Sequence, residues 1–452
     1  MYKLSEIAQK YKEKLVTADE AVKCIKSGDY VHFGVFNGIV YDLDKALAKR
    51  AEELHDVKIV VTIRAYPGTA AVLEADPDSK HFKYLSTHFS VSDRQMNKEG
   101  RCWTIPVLFG ENNISWPNNV EAIDVAMLQV APMDRHGNFN LGPQVADYLG
   151  IFKIAKKIIV EVNENMPVVH GMQTSINISE VDMIVEGSNV AMPIIKAKEA
   201  TEIDKQIGRL VVERISSGST LQLGVGGLPN YIGSLMLESD INDLGVHSEM
   251  YVDAYYKLFC EGKVTGNKNI NTGKMLCTFA QGSEELYDFV NDNPLVCFAP
   301  VGYVNAKHVI SANDKMVSIN SCLQVDLFSQ VNSESAGLQH IGGTGGQLDF
   351  VQGAFHSKDG QSFLCTPSVR KNKDGELESL IMPTLPQGSI VTVPRAAVQH
   401  IVTEYGIINV KQKSTWERAE LLISIAHPDF REDLIKEAER MGIWTKSSKI
   451  LV

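Results

Sequence analysis

Short runs of β-branched and other apolar residues recur along the chain. Between them lie stretches in which apolar positions return every three or four residues. Residues 57–63, Val-Lys-Ile-Val-Val-Thr-Ile, read as a strand, and residues 122–130 and 157–162 are two more. Residues 1–15 are charged and amphipathic, as in a surface helix. Thr17 and Glu20 have capping-box spacing, which predicts a short helix from Ala18 towards Ile25. Leu43, Leu47, Ala51 and Leu54 recur at helical spacing, and residues 231–237 and 428–444 are further helical runs. Strands alternating with helices in this way predict an α/β fold with mostly parallel sheets.

The pattern occurs twice. Lys26-Ser27-Gly28-Asp29-Tyr30-Val31-His32-Phe33-Gly34 resembles Ser216-Ser217-Gly218-Ser219-Thr220-Leu221-Gln222-Leu223-Gly224. In each, a helix ends at one glycine and a strand runs into a second. Each strand then opens a loop at its C-terminal end, where open α/β sheets bind ligands. At roughly 100–200 residues per domain, 452 residues allow two to four domains. The doubling predicts two similar open α/β halves, residues 1–195 and 196–452. The charged stretch Lys196-Ala197-Lys198-Glu199-Ala200 would be a surface helix or connection between them.

Composition narrows the partners. A net charge of −11 opposes binding to nucleic acid or an anionic membrane, both of which need a basic face. Seven cysteines without a Cys-x-x-Cys pair fit reduced, mostly buried thiols of a cytoplasmic protein. No signal-like apolar core follows Met1, and no apolar run approaches the roughly 18 residues of a membrane span.

Three segments carry candidate chemistry. Gly224-Val225-Gly226-Gly227-Leu228-Pro229 follows an apolar strand and precedes a helix, so its amides can hold a phosphate or a developing oxyanion. It fits a dinucleotide fingerprint only in part, because Pro229 stands where the third glycine belongs, although Asp243 is roughly spaced as a ribose partner. Gly342-Gly343-Thr344-Gly345-Gly346 has four glycines in five residues, which lets backbone approach a ligand closely, and Asp349 can anchor that loop through nearby amides. Between the two loops in sequence lies His247-Ser248-Glu249. It lacks the second histidine of a zinc site, and no metal is expected. A carboxylate can attack a thioester directly, because thiolate leaves readily, so Glu249 is the candidate nucleophile. The plain alternative is a surface or paired glutamate. Arg370-Lys371-Asn372-Lys373-Asp374-Gly375 is a basic hairpin turn that either meets phosphates or is simply solvated. Asp134-Arg135-His136-Gly137-Asn138 reads chiefly as turn chemistry, and His88 has no partner in the sequence and receives no role.

Taken together, these segments resemble the family I CoA-transferases of the acetyl-CoA hydrolase/transferase branch, over essentially the whole chain. The likeness rests on Gln129-Val130-Ala131-Pro132-Met133-Asp134, Glu161-Val162-Asn163-Glu164-Asn165-Met166-Pro167, residues 245–254, residues 342–350 and Ser424-Ile425-Ala426-His427-Pro428-Asp429-Phe430. The chain resembles the 4-hydroxybutyrate CoA-transferases and, more closely, the butyryl-CoA:acetate CoA-transferases. The resemblance implies an active site between the halves and ping-pong transfer of CoA from a short-chain acyl-CoA to acetate. Glu249 would carry the glutamyl-CoA thioester. Gly224, Val225, Gly226, Gly227, Leu228, Leu323, Gly346 and Lys371 would lie at CoA, which is substrate and covalent intermediate, with no tightly bound cofactor. It also implies that residues 33–38 face the acyl site, where Phe36 and Tyr66 either shape the pocket or are ordinary core. A homodimer or higher homo-oligomer is expected. The alternatives are an acyl-CoA hydrolase with the same intermediate, an NAD-dependent oxidoreductase, and a CoA-binding regulator without catalysis.

Overall fold

The computed structural model describes residues 3–195, 198–224 and 226–446. The first sheet contains β1 (Tyr30–Val35), β2 (Val57–Thr62), β3 (Phe82–Ser86), β4 (Cys102–Thr104), β5 (Val125–Val130), β6 (Ile158–Val162) and β7 (Met183–Glu186). Their order is β7-β6-β5-β1-β2-β3-β4, and every neighbouring pair is parallel. Every residue of β5 and β6 is buried, as parallel strands covered on both faces require.

The second sheet contains β8 (Thr220–Leu223), β9 (Gly245–Val246), β10 (Met316–Ser321), β11 (Gln361–Cys365), β12 (His400–Thr403) and β13 (Gly406–Asn409). Their order is β9-β8-β10-β11-β12-β13, parallel except for the last pair. In both sheets the first strand lies inside, and the chain adds neighbours on one side before crossing to the other. Each sheet therefore has a switch point, between β1 and β5 in one and between β8 and β10 in the other. Loops beyond the C-terminal ends of such strands form the ligand crevices of open α/β sheets. The fold class is the one the alternation predicts.

The repeated glycines act alike at the strand entrances. Gly28 and Gly218 turn the chain into β1 and β8 with φ of +85° and +79°. Beyond the strands the halves diverge. Gly34 has φ +88°, and a Cβ there would overlap the Gly38 carbonyl, whereas Gly224 is outside the left-handed region. Several local readings shorten in the fold. The helix from Ala18 is one α-helical turn, Ala18–Ala21, followed by a 3-10 turn, Val22–Cys24. The run from Leu43 to Leu54 breaks into a helix, Asp42–Ala48, and a 3-10 turn, Ala51–Glu53. The strand expected from residue 122 starts at Val125, and the C-terminal helix is Pro428–Arg440. Around the inter-half stretch, residues 188–195 and 198–201 are irregular, and the next helix, Glu202–Val212, is capped by Thr201. Lys196 and Ala197 lie outside the described residues. The largest apolar cluster runs through both halves, from Val35, Phe36 and Leu128 to Leu221, Tyr251 and Phe279. All seven cysteines are free thiols, and five are buried. Among the described residues, no helix is long and apolar enough to cross a membrane.

Candidate active site

The C-terminal ends of the two sheets face each other. Phe36, just after β1, stacks on Phe279 with ring centroids 3.7 Å apart, and Asn37 Nδ2 donates to the Ala280 carbonyl at 2.9 Å. Phe36 and Ile63, at the ends of β1 and β2, have φ of +49° and +45°. Left-handed backbone is unfavourable for bulky or β-branched residues, and such strain concentrates at functional sites.

Glu249 lies just beyond β9 on the opposing wall. Its backbone is held from behind. His247 is fully buried, donates Nε2–H to the Val304 carbonyl at 2.7 Å and accepts from Asn313 Nδ2 at 3.1 Å. Burial, aided by the Lys268 charge, pushes the His247 pKa down to about 3, so this ring is a neutral structural anchor. The Glu249 carbonyl accepts from the amides of Thr278 and Phe279. In the side chain, Oε2 accepts from Asn305 Nδ2 at 2.6 Å, and the same Nδ2 lies 3.3 Å from Asp349 Oδ2. Burial raises the Glu249 pKa to about 7; the Asn305 hydrogen bond opposes that rise and the Asp349 charge adds to it. Protein surrounds the carboxylate on most sides, yet it opens onto two cavities.

The smaller cavity, about 50 Å³, is lined by Phe36, Ile63, Val107, Phe109, His88 and the Gly345 backbone, besides Glu249. Its walls are largely apolar. The larger, about 480 Å³, is a cleft between the halves. Gln222, Gly224, Gln281 and Asn320 line it from one side, and Arg64, His88 and Arg94 from the other. Arg64 sits 3.6 Å from Asp44 with its side chain only 4% exposed, and its Nε and Nη1 have no hydrogen-bond partner among the described residues. Burial, with the Arg94 charge, lowers the His88 pKa to about 4, so His88 is neutral near pH 7. One wall of the cleft thus carries two arginines, Arg64 beside Asp44 and Arg94 near Asp93, whose guanidinium groups can meet an anionic substrate.

The expected site residues divide. Gly224 and Glu249 line one cleft. Gly226 (φ +128°) precedes helix α1, Gly227–Glu238, so Gly226 and Gly227 form the helix N-terminus, and Leu228 is buried in its first turn. Val225 lies outside the described residues. Gly346 is packed directly on Glu249: a Cβ there would overlap Glu249 Oε2 and Asn305 Nδ2. Leu323, just beyond β10, donates its amide to the Asn332 carbonyl at 2.8 Å. Lys371 is exposed on the hairpin formed by Val369–Lys371 and Leu377–Ser379. Neither Leu323 nor Lys371 lines the two cavities at Glu249. Arg370 of the basic turn pairs with Glu378 at 2.9 Å. Tyr66 lines neither cavity; its hydroxyl donates to the Asn37 carbonyl at 3.3 Å, so it braces the loop after β1. Asp134 accepts the His136 and Asn138 amides, which is turn chemistry.

Two expectations are overturned. Asp349 does not tie its own glycine loop together. It lies in the first turn of helix α2, Gln347–His356, and accepts from the Gly110 amide of the other half at 3.2 Å. Asp243 precedes β9, whereas the Gly224 loop comes after the parallel strand β8, so the two lie at opposite edges of the sheet. The dinucleotide reading thereby loses its ribose partner. Sequence reasoning missed Asn305, Arg64 and Arg94 altogether and gave His88 no role. None sits in a recognisable motif; each is defined by what it faces.

Comparison with known proteins agrees with this geometry. The acetyl-CoA hydrolase/transferase N-terminal domain matches residues 1–196, and the C-terminal domain of the same family matches residues 282–438. Butyryl-CoA:acetate CoA-transferase of Anaerostipes caccae is 46% identical over 444 residues, covering 98% of this chain and 99% of that protein. 4-Hydroxybutyrate coenzyme A transferase of Clostridium kluyveri is 38% identical over 431 residues, covering 95% and 98%. The crystal structure of RipA from Yersinia pestis superposes with a TM-score of 0.87 at 35% identity, covering 97% of this chain and 99% of that one. An enclosed glutamate at facing switch points, in a chain matched along nearly its full length, makes this protein a member of the acetyl-CoA hydrolase/transferase family of CoA-transferases.

Proposed function

We propose that the protein transfers CoA between a short-chain acyl-CoA, butyryl-CoA foremost, and acetate, through a glutamyl-CoA thioester on Glu249. The observation that carries this is the Glu249 carboxylate itself, held by Asn305 and open both to a small apolar cavity and to a cleft lined by Arg64 and Arg94. A Glu249 oxygen attacks the thioester carbonyl, the C–S bond breaks, and CoA thiolate leaves an acyl-glutamyl anhydride. The thiolate then attacks the glutamyl carbonyl carbon, the anhydride C–O bond breaks, and the first carboxylate departs. Acetate reverses both steps. A carboxylate of pKa about 7 is more basic than an ordinary one yet substantially ionised at neutral pH, which suits a nucleophile.

The small cavity suits a short acyl chain, and the cleft suits the CoA arm. In this reading CoA lies along Gly224, Val225, Gly226, Gly227 and Leu228, with Leu323, Gly346 and Lys371 also at the coenzyme. Residues 1–195 and 196–452 act as two lobes, and the enzyme works as a cytoplasmic homo-oligomer. An acyl-CoA hydrolase using the same intermediate would consume thioester without added acetate; the transferase requires it.

The test is to trap the intermediate. The protein is incubated with butyryl-CoA, reduced with borohydride and digested, and the peptide containing Glu249 is weighed. Reduction of the thioester to an alcohol, absent in Glu249→Ala, is expected. An unmodified peptide with every short acyl-CoA tried would overturn the reading.

A further inference from the structure

Asn305 has one carboxylate in front of it and another behind. Its Nδ2 reaches Glu249 at 2.6 Å and Asp349 at 3.3 Å, while its Oδ1 is buried without a hydrogen-bond partner among the described residues. The orientation of the amide therefore rests on two carboxylates that share one nitrogen; burial raises Asp349, like Glu249, to a pKa of about 7, so near neutral pH the pair shares less than two full charges. When Glu249 is acylated or thioesterified it loses its charge and becomes a weaker acceptor. Asp349 is then the remaining carboxylate acceptor that keeps the NH₂ end, rather than the carbonyl end, turned towards the reacting carbon. An N–H aimed there donates to the oxyanion that forms at the glutamyl carbonyl; a flipped amide would present a lone pair to it.

The Asn305–Asp349 pair belongs to the C-terminal half, yet the N-terminal half fixes it. Gly110 N donates to Asp349 Oδ2 at 3.2 Å, and a Cβ on Gly110 would come within 2.7 Å of that oxygen and 2.9 Å of Asn305 Cβ. Asn113 Oδ1 accepts from Gly302 N at 2.9 Å, on the short helix Val301–Val304 that leads into Asn305. Phe109 N donates to the Gly345 carbonyl at 3.1 Å, beside Gly346. One segment, residues 109–113, thus touches the Asp349 carboxylate, the helix before Asn305 and the glycine loop.

We propose that Asp349 is a positioning residue that acts on the reacting Glu249 through the Asn305 amide, with residues 109–113 of the N-terminal half holding the pair in register. This rests on Glu249 being the nucleophile, and it assigns Asp349 no contact with substrate. Asp349→Asn replaces the carboxylate by a neutral amide whose oxygen is a weaker acceptor and whose NH₂ can take its place, so the Asn305 amide is held less firmly and can flip.

The experiment is a double-mutant cycle on the full-length enzyme, with butyryl-CoA and acetate as substrates. Asp349→Asn, Asn305→Ala and the double variant are compared by kcat and KM. Asp349→Asn should lower kcat tenfold or more with KM for butyryl-CoA within about threefold, and the double variant should be no slower than Asn305→Ala alone. Multiplying losses, or an unchanged kcat in Asp349→Asn, would overturn the proposal. A second readout is the acidic limb of kcat/KM. The charged groups facing Asp349 are Glu249 and Glu111, and removing the Asp349 charge should move the limb to lower pH. An unmoved limb would mean that Asp349 carries no charge beside Glu249 and would overturn the proposal; the positioning role itself is read from kcat against KM and from the cycle. If Asp349→Asn does not fold, Gly110→Ala presses on the same carboxylate from the other half and should reproduce the kcat loss; full activity there would also overturn it. Failure of the underlying reading is separate: the wild-type enzyme itself would then give no borohydride-trapped Glu249.

Discussion

The proposed nucleophile must be charged to react, and burial works against charge. Glu249 has its pKa raised from 4.5 to about 7, so the rate through the free enzyme should fall as pH drops below about 7. A kcat/KM profile flat down to pH 5 would contradict this. The same shift has a sign in stability. The folded state holds the Glu249 proton more tightly than the unfolded chain does, so folding loses stability as pH rises from about 4.5 to 7. By linkage the loss is on the order of 3 kcal/mol, at about 1.36 kcal/mol for each tenfold change in proton affinity. Glu249→Gln, which the proposed mechanism makes inactive in transfer, should therefore melt above wild type at pH 8 and level with it near pH 4. A difference independent of pH would disprove the linkage. Gly346 supplies a second residue-scale prediction. Its φ of −104° suits any residue, so Gly346→Ala should fold; its methyl group would nevertheless displace Glu249 and Asn305. Misplacing reacting groups by about 1 Å can cost about a hundredfold, and kcat should drop by that order while the melting temperature stays close to wild type. Near-normal kcat would mean the nucleophile tolerates displacement.

At the scale of elements, the site is made by the residues just beyond each strand. β1 ends in strained Phe36, β2 in strained Ile63, β8 in Gly224 and β9 in the segment leading to Glu249. Phe36 and Phe109 form an edge-to-face pair with centroids 5.9 Å apart, walling the small cavity. Phe109→Ala should widen it, raising kcat/KM for hexanoyl-CoA relative to butyryl-CoA, and a ratio unchanged from wild type would remove Phe109 from the acyl wall. The same deletion should destabilise the fold by roughly 3 kcal/mol, read from a urea midpoint, since Phe109 is 5% exposed. Much of this level is legible in the sequence. Thr17 and Glu20 make their capping box, Asp374 and Gly375 sit in a hairpin turn, and the run at residues 57–63 is strand β2 with Ile63 left over. Elements shorten where a buried neighbour, not periodicity, decides the end: Leu43, Leu47, Ala51 and Leu54 are all buried, yet the chain bends between Ala48 and Ala51.

Across the whole molecule, two sheets of the same winding present their switch points to each other, and one apolar cluster runs through both. That arrangement explains why a chain with a net charge of −11 can hold a cleft with Arg64 and Arg94 on one wall. Charge is averaged over the surface, whereas binding depends on the few groups that line a cavity. The oligomeric expectation belongs to this scale. Sedimentation equilibrium should give a multiple of the single-chain mass, and a single species at the monomer mass would refute it.

Periodicity, cap spacing and glycine clustering are short-range properties, written within a few neighbouring residues, and they sufficed for the α/β class, the doubled pattern and the two glycine loops. Glu249 was legible as a candidate from its place between two glycine loops, and the family resemblance set it above the surface or paired glutamate it could otherwise have been. Its partners were not. Asn305 is 56 positions from Glu249, and Asp349 is 44 positions beyond Asn305. Arg64 and His88 reach the same cavities from the other half of the chain. No local pattern encodes such meetings, because an asparagine or arginine beside a turn looks the same whether it faces water or a nucleophile. Strand order brings them together, and burial then gives them their chemistry: a carboxylate poised near neutrality, a neutral histidine and an amide held between two acids.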